Sequence, residues 1–144
     1  MKMTDLNVAV SALKGHSLAL CKDGKVITSD KRGVLPWLNF LEENVNLNGY
    51  SVADAVVGKA AAMLMVKAGV IAVYAVVISE KGKAFLEKNG IKPEYETLVP
   101  AIINRDKSGF CPMETAVENV SDAEEGALII KKKLQEIRNP VKFN

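Results

Sequence analysis

Residues 51–78 read SVADAVVGKAAAMLMVKAGVIAVYAVVI, and the way this stretch divides decides the fold. Ser51 is a helix start signal and Gly69 a stop signal, which predicts a helix of about five turns between them. Val70–Ile78 is an unbroken apolar run rich in Val and Ile, the pattern of a strand covered on both faces. A helix apolar around most of its circumference lies inside a globule rather than on it.

Working outward, Thr4–Lys14 is expected to be helical, with Thr4 or Asp5 as cap, Leu6, Val10 and Leu13 as stripe and Gly15 as exit. Ser17–Lys22 and Lys25–Ser29 are strand patterns around Asp23-Gly24, the pair preferred in two-residue hairpin turns because both positions accept positive φ. After the loop DKRGVLPW, Pro36 suits the first turn of a helix reaching about Asn46, with Trp37, Leu38 and Leu41 toward the core. Asn48-Gly49 turns the chain into the central stretch. Beyond it come a helix over Glu80–Asn89 ended by Gly90, a strand over Pro93–Val99, the loop NRDKSGF and the segment CPMETAVENV. A last helix spans about Asp122–Arg138, with acids at its start, Lys131–Lys133 near its end and Pro140 beyond. This order predicts a single α/β domain, a sheet of four or five strands with helices on its faces.

Composition narrows the function classes. The chain has 144 residues, 49% hydrophobic and 25% charged, as in a soluble globular domain. Nineteen Lys+Arg against seventeen Asp+Glu leave +2, and no basic stripe carries interleaved aromatics, so nucleic acid is not an expected partner. Gly58, Lys59 and Lys67 interrupt the longest apolar run, so no membrane span is expected. Asp5 and Asn7 stand where a signal peptide needs apolar residues. Two distant cysteines do not make a disulfide scaffold and point to a reducing, cytoplasmic setting.

Few residues can carry chemistry. Asp54 is the one acid of the central stretch; Ser51-Val-Ala-Asp54 fits a capping box, which outweighs a general-acid or metal-ligand reading. Gly58, inside the expected helix, implies a close neighbour, and Asp54, Gly58 and Lys59 mark where a ligand would approach. His16, Cys21 and Cys111 fall in no metal-ligand spacing, so no metal and no cofactor is expected. The segment 104–114, NRDKSGFCPME, is the strongest candidate. Pro112 would open a helix whose free amides, with Arg105, Lys107, Ser108 and Gly109, form an anion site. The same position favours the thiolate of Cys111, with Glu114 in the same turn as acid or base.

The hairpin, the stretch VVGKAAAMLMVKAG, the strand VIAVYAVVI and the closing Cys111-Pro-Met-Glu114 resemble an uncharacterised family of small prokaryotic proteins grouped with the cytidine-deaminase-like fold. The resemblance implies a three-layer α/β/α sandwich with a mixed sheet of about five strands. Zinc deaminases of that fold carry His-x-Glu or Cys-x-Glu at the start of the central helix, where this chain reads Asp54-Ala-Val-Val-Gly58. They carry Pro-Cys-x-x-Cys at the next strand–helix junction, where it reads Ile78-Ser-Glu-Lys-Gly82. Without those ligands, zinc-dependent deamination is not expected.

Three functions then compete. One is a metal-free protein that binds a small anionic or nucleotide-like ligand near the helix starts at Ser51 and Cys111. Another is an enzyme with Cys111 as nucleophile and Glu114 or Asp54 as proton carrier. The third is an interaction subunit, a homo-oligomer included, whose pocket is filled by side chains. An open, polar pocket between the central helix and the Cys111 loop favours the first two.

Overall fold

Gly58 divides the central stretch in two. In the computed structural model, which describes residues 3–103, 109 and 111–138, Ser51–Val57 is a strand (β3) and Lys59–Ala68 a helix (α3). The expected helix over Ser51–Gly69 is therefore too long by its first seven residues. A run buried on both faces loses its alternation, and periodicity alone cannot tell it from a buried helix. The β-branched Val52, Val56 and Val57 favour extended backbone. Gly58, at φ −100° and ψ −173°, is still extended and serves as the helix N-cap. Gly69 ends α3 at φ +84°, the left-handed exit its position predicts.

The other elements follow the expected order. Asp5–Ala12 forms α1, Leu18–Lys22 β1 and Lys25–Ser29 β2, joined through Asp23 and Gly24 at φ +50° and +80°. Leu35–Glu42 forms α2, shorter than expected because Asn44 already turns left-handed at φ +54°. Ala72–Ser79 is β4, Glu80–Lys88 α4, Glu94–Val99 β5, Pro112–Ala116 α5 and Ala123–Arg138 α6.

The five strands form one open mixed sheet in the order β2-β1-β3-β4-β5, with β1 antiparallel to both neighbours and β3, β4 and β5 parallel. Side chains alternate across it. Leu18, Leu20, Val52 and Val73 join the larger core, under α2–α6. Ala19, Cys21 and Ala53 join Ala9 of α1 and its C-cap Leu13 on the opposite face, where small residues let that helix approach closely. All of Ala60–Met65 is buried, so α3 is the interior helix. It meets α6 where Gly126 stands against Met63: a Cβ on Gly126 would lie 2.5 Å from the Met63 sulfur. Every residue of β5, at the sheet edge, keeps solvent contact.

His16 has a structural setting. Its Nδ1 lies 2.6 Å from Asp30 Oδ1, and Ser17 Oγ donates to the Ser29 carbonyl at 2.9 Å, so the pair pins the base of the hairpin. Among the described residues no helix is long and apolar enough to cross a membrane.

Candidate functional site

The parallel strands β3, β4 and β5 end on one edge of the sheet, at Val57, Ser79 and Val99. Helices α3 and α4 start from that edge, so their free N–H groups gather there. In open α/β sheets this carboxyl edge is where ligands bind. Ser79 closes α4 by accepting from Gly82 N–H at 3.0 Å. Gly82 also lets α4 press against the β3–α3 junction: a Cβ there would stand 2.9 Å from the Gly58 carbonyl carbon.

The start of α3 is capped from a distance. Glu114 of α5 extends its carboxylate across the edge, Oε1 accepting from Lys59 N–H and Oε2 from Ala60 N–H, each at 2.7 Å. Charge-assisted bonds to two helix-terminal amides are the arrangement by which such a terminus holds an anion. Here the anion is the protein's own side chain. Gly58 makes room for it, because a Cβ at that position would overlap the Glu114 carboxylate.

Cavities open on either side of this clasp. One of about 250 Å³ is lined by Lys59, Ser79, Lys81, Ile102, Glu114 and Glu118. A smaller one, about 110 Å³, lies between Val34, Val56, Gly58, Cys111 and Glu114. A third of about 270 Å³ continues from the first past Lys59, Lys81 and Glu118 to Phe85, Lys88 and Ser121. Lys59 is the hinge of the two larger spaces. Its Nζ donates to the Glu118 carbonyl at 3.0 Å. Burial lowers its pKa, and so do Lys81 and Lys88, while Glu114 and Glu118 act the other way. Lys81 reaches Glu118 Oε1 only at 3.4 Å.

The residues singled out in the sequence are partly brought together. Gly58, Cys111 and Glu114 converge on the smallest cavity, and Lys59 lines its larger neighbours. Cys111 is half-buried, and its N–H donates to the Ile102 carbonyl at 3.2 Å. The helix after it has five residues, too short for the strong dipole that an anion site at Cys111 requires. Gly109 is exposed; Arg105, Lys107 and Ser108 lie outside the described residues. Asp54 does not cap a helix. It sits inside β3, pairs in register with Leu18 and Ala75, and lines none of these cavities. Its carboxylate accepts from Trp37 Nε1–H at 3.4 Å, and burial pushes its pKa up to about 7.

Ser79, Lys81, Lys88, Ile102 and Glu118 do not stand out in the sequence as site residues. For Ser79 and Lys81 a signal is present, since a polar residue directly after a buried parallel strand stands on the ligand-binding edge. Nothing local marks Glu118 or Ile102. Among the described residues, no three of His, Cys, Asp and Glu cluster as metal ligands.

Comparison with known proteins adds a family and a fold. The family described as TM1506, a domain of unknown function (DUF1893), matches residues 9–134. The crystal structure of a DUF1893 family protein (TM1506) from Thermotoga maritima is similar, with a TM-score of 0.82 and 27% identity over 92% of each chain. Among curated proteins there is no significant match.

Proposed function

We propose, from the premise that this chain belongs to the DUF1893 family of unknown function, that it is a metal-free binding protein for a small anionic molecule, nucleotide-like ligands included. The ligand would sit at the carboxyl edge of β3–β5, between α4 and α5. One observation carries the reading: Lys59 and Lys81 line the same cavity of about 250 Å³. Taking Lys59 out of water beside a second ammonium lowers its pKa. An arriving anion relieves both the desolvation and the repulsion.

The mixed five-stranded sheet with helices on both faces supports a cytidine-deaminase-like scaffold. The residues at its helix starts do not fit the zinc ion of the deaminases. Gly58-Lys59-Ala60 opens α3 and Ser79-Glu80-Lys81 opens α4, with no imidazole or thiolate in either. The amides of α3 are already taken by Glu114. The nucleophilic reading of Cys111 has less support, because both Glu114 oxygens are engaged in the cap of α3.

The test is a thermal-shift screen against carboxylates, phosphorylated metabolites and nucleotides, followed by calorimetry on wild type and Lys81→Ala. Expected is at least one stabilising anion whose affinity falls about tenfold in the variant, the loss of one charge-assisted contact. A screen without a hit, or a hit indifferent to Lys81, overturns the reading.

A further inference from the structure

Lys81, Phe85 and Lys88 follow one another at spacings of four and three along α4, which places them on one helix face. That face forms the wall of the cavity of about 270 Å³ that extends the proposed site, with Lys59, Glu118 and Ser121 opposite. Charge is distributed unequally between the two spaces. Around the first, Lys59 and Lys81 face two carboxylates, Glu114 and Glu118. Around the second, three ammonium groups face Glu118 alone. Among the described residues Lys88 has no carboxylate partner. Lys88 is near enough to act on Lys59, whose ammonium both Lys81 and Lys88 disfavour. The charges around the first space balance, and Pro100, Ala101 and Ile102 complete its wall.

We infer that the ligand is a phosphomonoester: its doubly charged phosphate lies in the Lys59–Lys81–Lys88 lobe and its apolar or aromatic body in the lobe beside Ile102. The inference rests on the binding reading above and adds to it a second lobe and a ligand class. A carboxylate carries one charge and is served by Lys59 and Lys81. A phosphate dianion brings two charges and three terminal oxygens, enough to occupy all three ammonium groups.

Phenyl phosphate and benzoate separate the two claims, because they share a body and differ in the anionic group. Binding is measured by calorimetry at pH 8 and fixed ionic strength, on wild type, Lys88→Ala, Lys88→Glu and a control, Lys25→Ala, on the exposed hairpin. Lys88 is exposed, so its variants keep the fold. Expected is phenyl phosphate binding about tenfold tighter than benzoate. Lys88→Ala should abolish that preference and Lys88→Glu reverse it, with benzoate affinity and the control unchanged. If both probes bind equally and ignore Lys88, the phosphomonoester inference falls while the binding reading stands. If neither probe binds, the inference falls, and the screen above decides the broader reading.

Discussion

The carboxylate of Glu114 occupies the space where a side chain at residue 58 would begin. Gly58 and Glu114 are 56 positions apart in sequence and form one device: the glycine leaves a notch, and the acid fills it while bonding to Lys59 N–H and Ala60 N–H. The backbone at Gly58 is extended, a conformation any residue adopts, so the glycine is required for space and not for conformation.

Gly58→Ala should therefore expel the Glu114 side chain and remove the α3 cap, at about 1–2 kcal/mol for the lost cap. Glu114→Ala should cost a similar amount by the same route. The pair should be strongly non-additive: once Glu114 is truncated, an alanine at 58 no longer meets its carboxylate. Urea unfolding of both single variants and the double variant checks this through the coupling energy. Additive losses would separate the two residues.

Asp54 sets a pH dependence with a definite sign. Burial raises its folded pKa from 3.8 to about 7, so the folded state holds a proton that the unfolded chain has already released. Its stability contribution is fully present below the unfolded pKa and is lost as pH rises through about 7. The loss amounts to at most about 4 kcal/mol, since each tenfold difference in proton affinity between the folded and unfolded chain is worth about 1.4 kcal/mol. Asp54→Asn keeps an acceptor for Trp37 Nε1–H without the charge. It should match wild type only below about pH 4, the unfolded pKa, and exceed it increasingly as pH rises to about 7 and above, read as the urea midpoint of each protein. Parallel pH profiles for the two proteins would contradict this.

The two cysteines should separate in alkylation. Cys21 is fully buried, and its pKa is raised by burial, by its hydrogen bond to Asp5 and by the charge of that residue. Cys111 is half-buried at the rim of a cavity. Iodoacetamide followed by peptide mass spectrometry should label Cys111 in the native protein and Cys21 only on unfolding. Equal labelling would place Cys21 nearer the surface than its strand position allows.

Gly126→Ala tests the α3–α6 seam. Met63 is fully buried, and its sulfur must shift to admit a Cβ at residue 126. The added methyl should cost about 1–3 kcal/mol, the usual range for overpacking. Met63→Ala in the same background should recover part of it. Thermal melts of the three variants decide the matter.

The hairpin was legible because Asp23-Gly24 is a local signal, and β4 because its Val/Ile run is bounded by Gly69 and Ser79. The β3–α3 boundary was not, because Ser51–Asp54 is buried on both faces and the run to Val57 carries no polar alternation to distinguish strand from helix. That one error moved Asp54 from a helix cap to a strand interior and hid the role of Gly58 as N-cap. Glu114 was legible as a site residue beside Cys111, but not as the cap of a helix 54 residues earlier in the chain. Such a contact depends on tertiary placement, which no window of sequence contains. Lys81 and Lys88 could have been paired from their helical spacing. Glu118 joins them only through the packing of the segment after α5.

The reach of Glu114 also bears on the order of assembly. Residues 51–68 can pair and coil as soon as they exist, but the first amides of α3 wait for a side chain 54 and 55 residues further on. During synthesis, a chain ending before Pro112 holds the sheet edge with those donors open to water. Closing a loop of that length is an entropic expense that belongs late in folding, after the local hairpin and the β3-α3-β4 crossover. The clasp would then be absent from the folding transition state, so loss of Glu114 should accelerate unfolding and leave the refolding rate nearly unchanged. The lifetime of the native protein is thus governed from a residue of the short α5, outside the sheet and outside the interior helix that it secures.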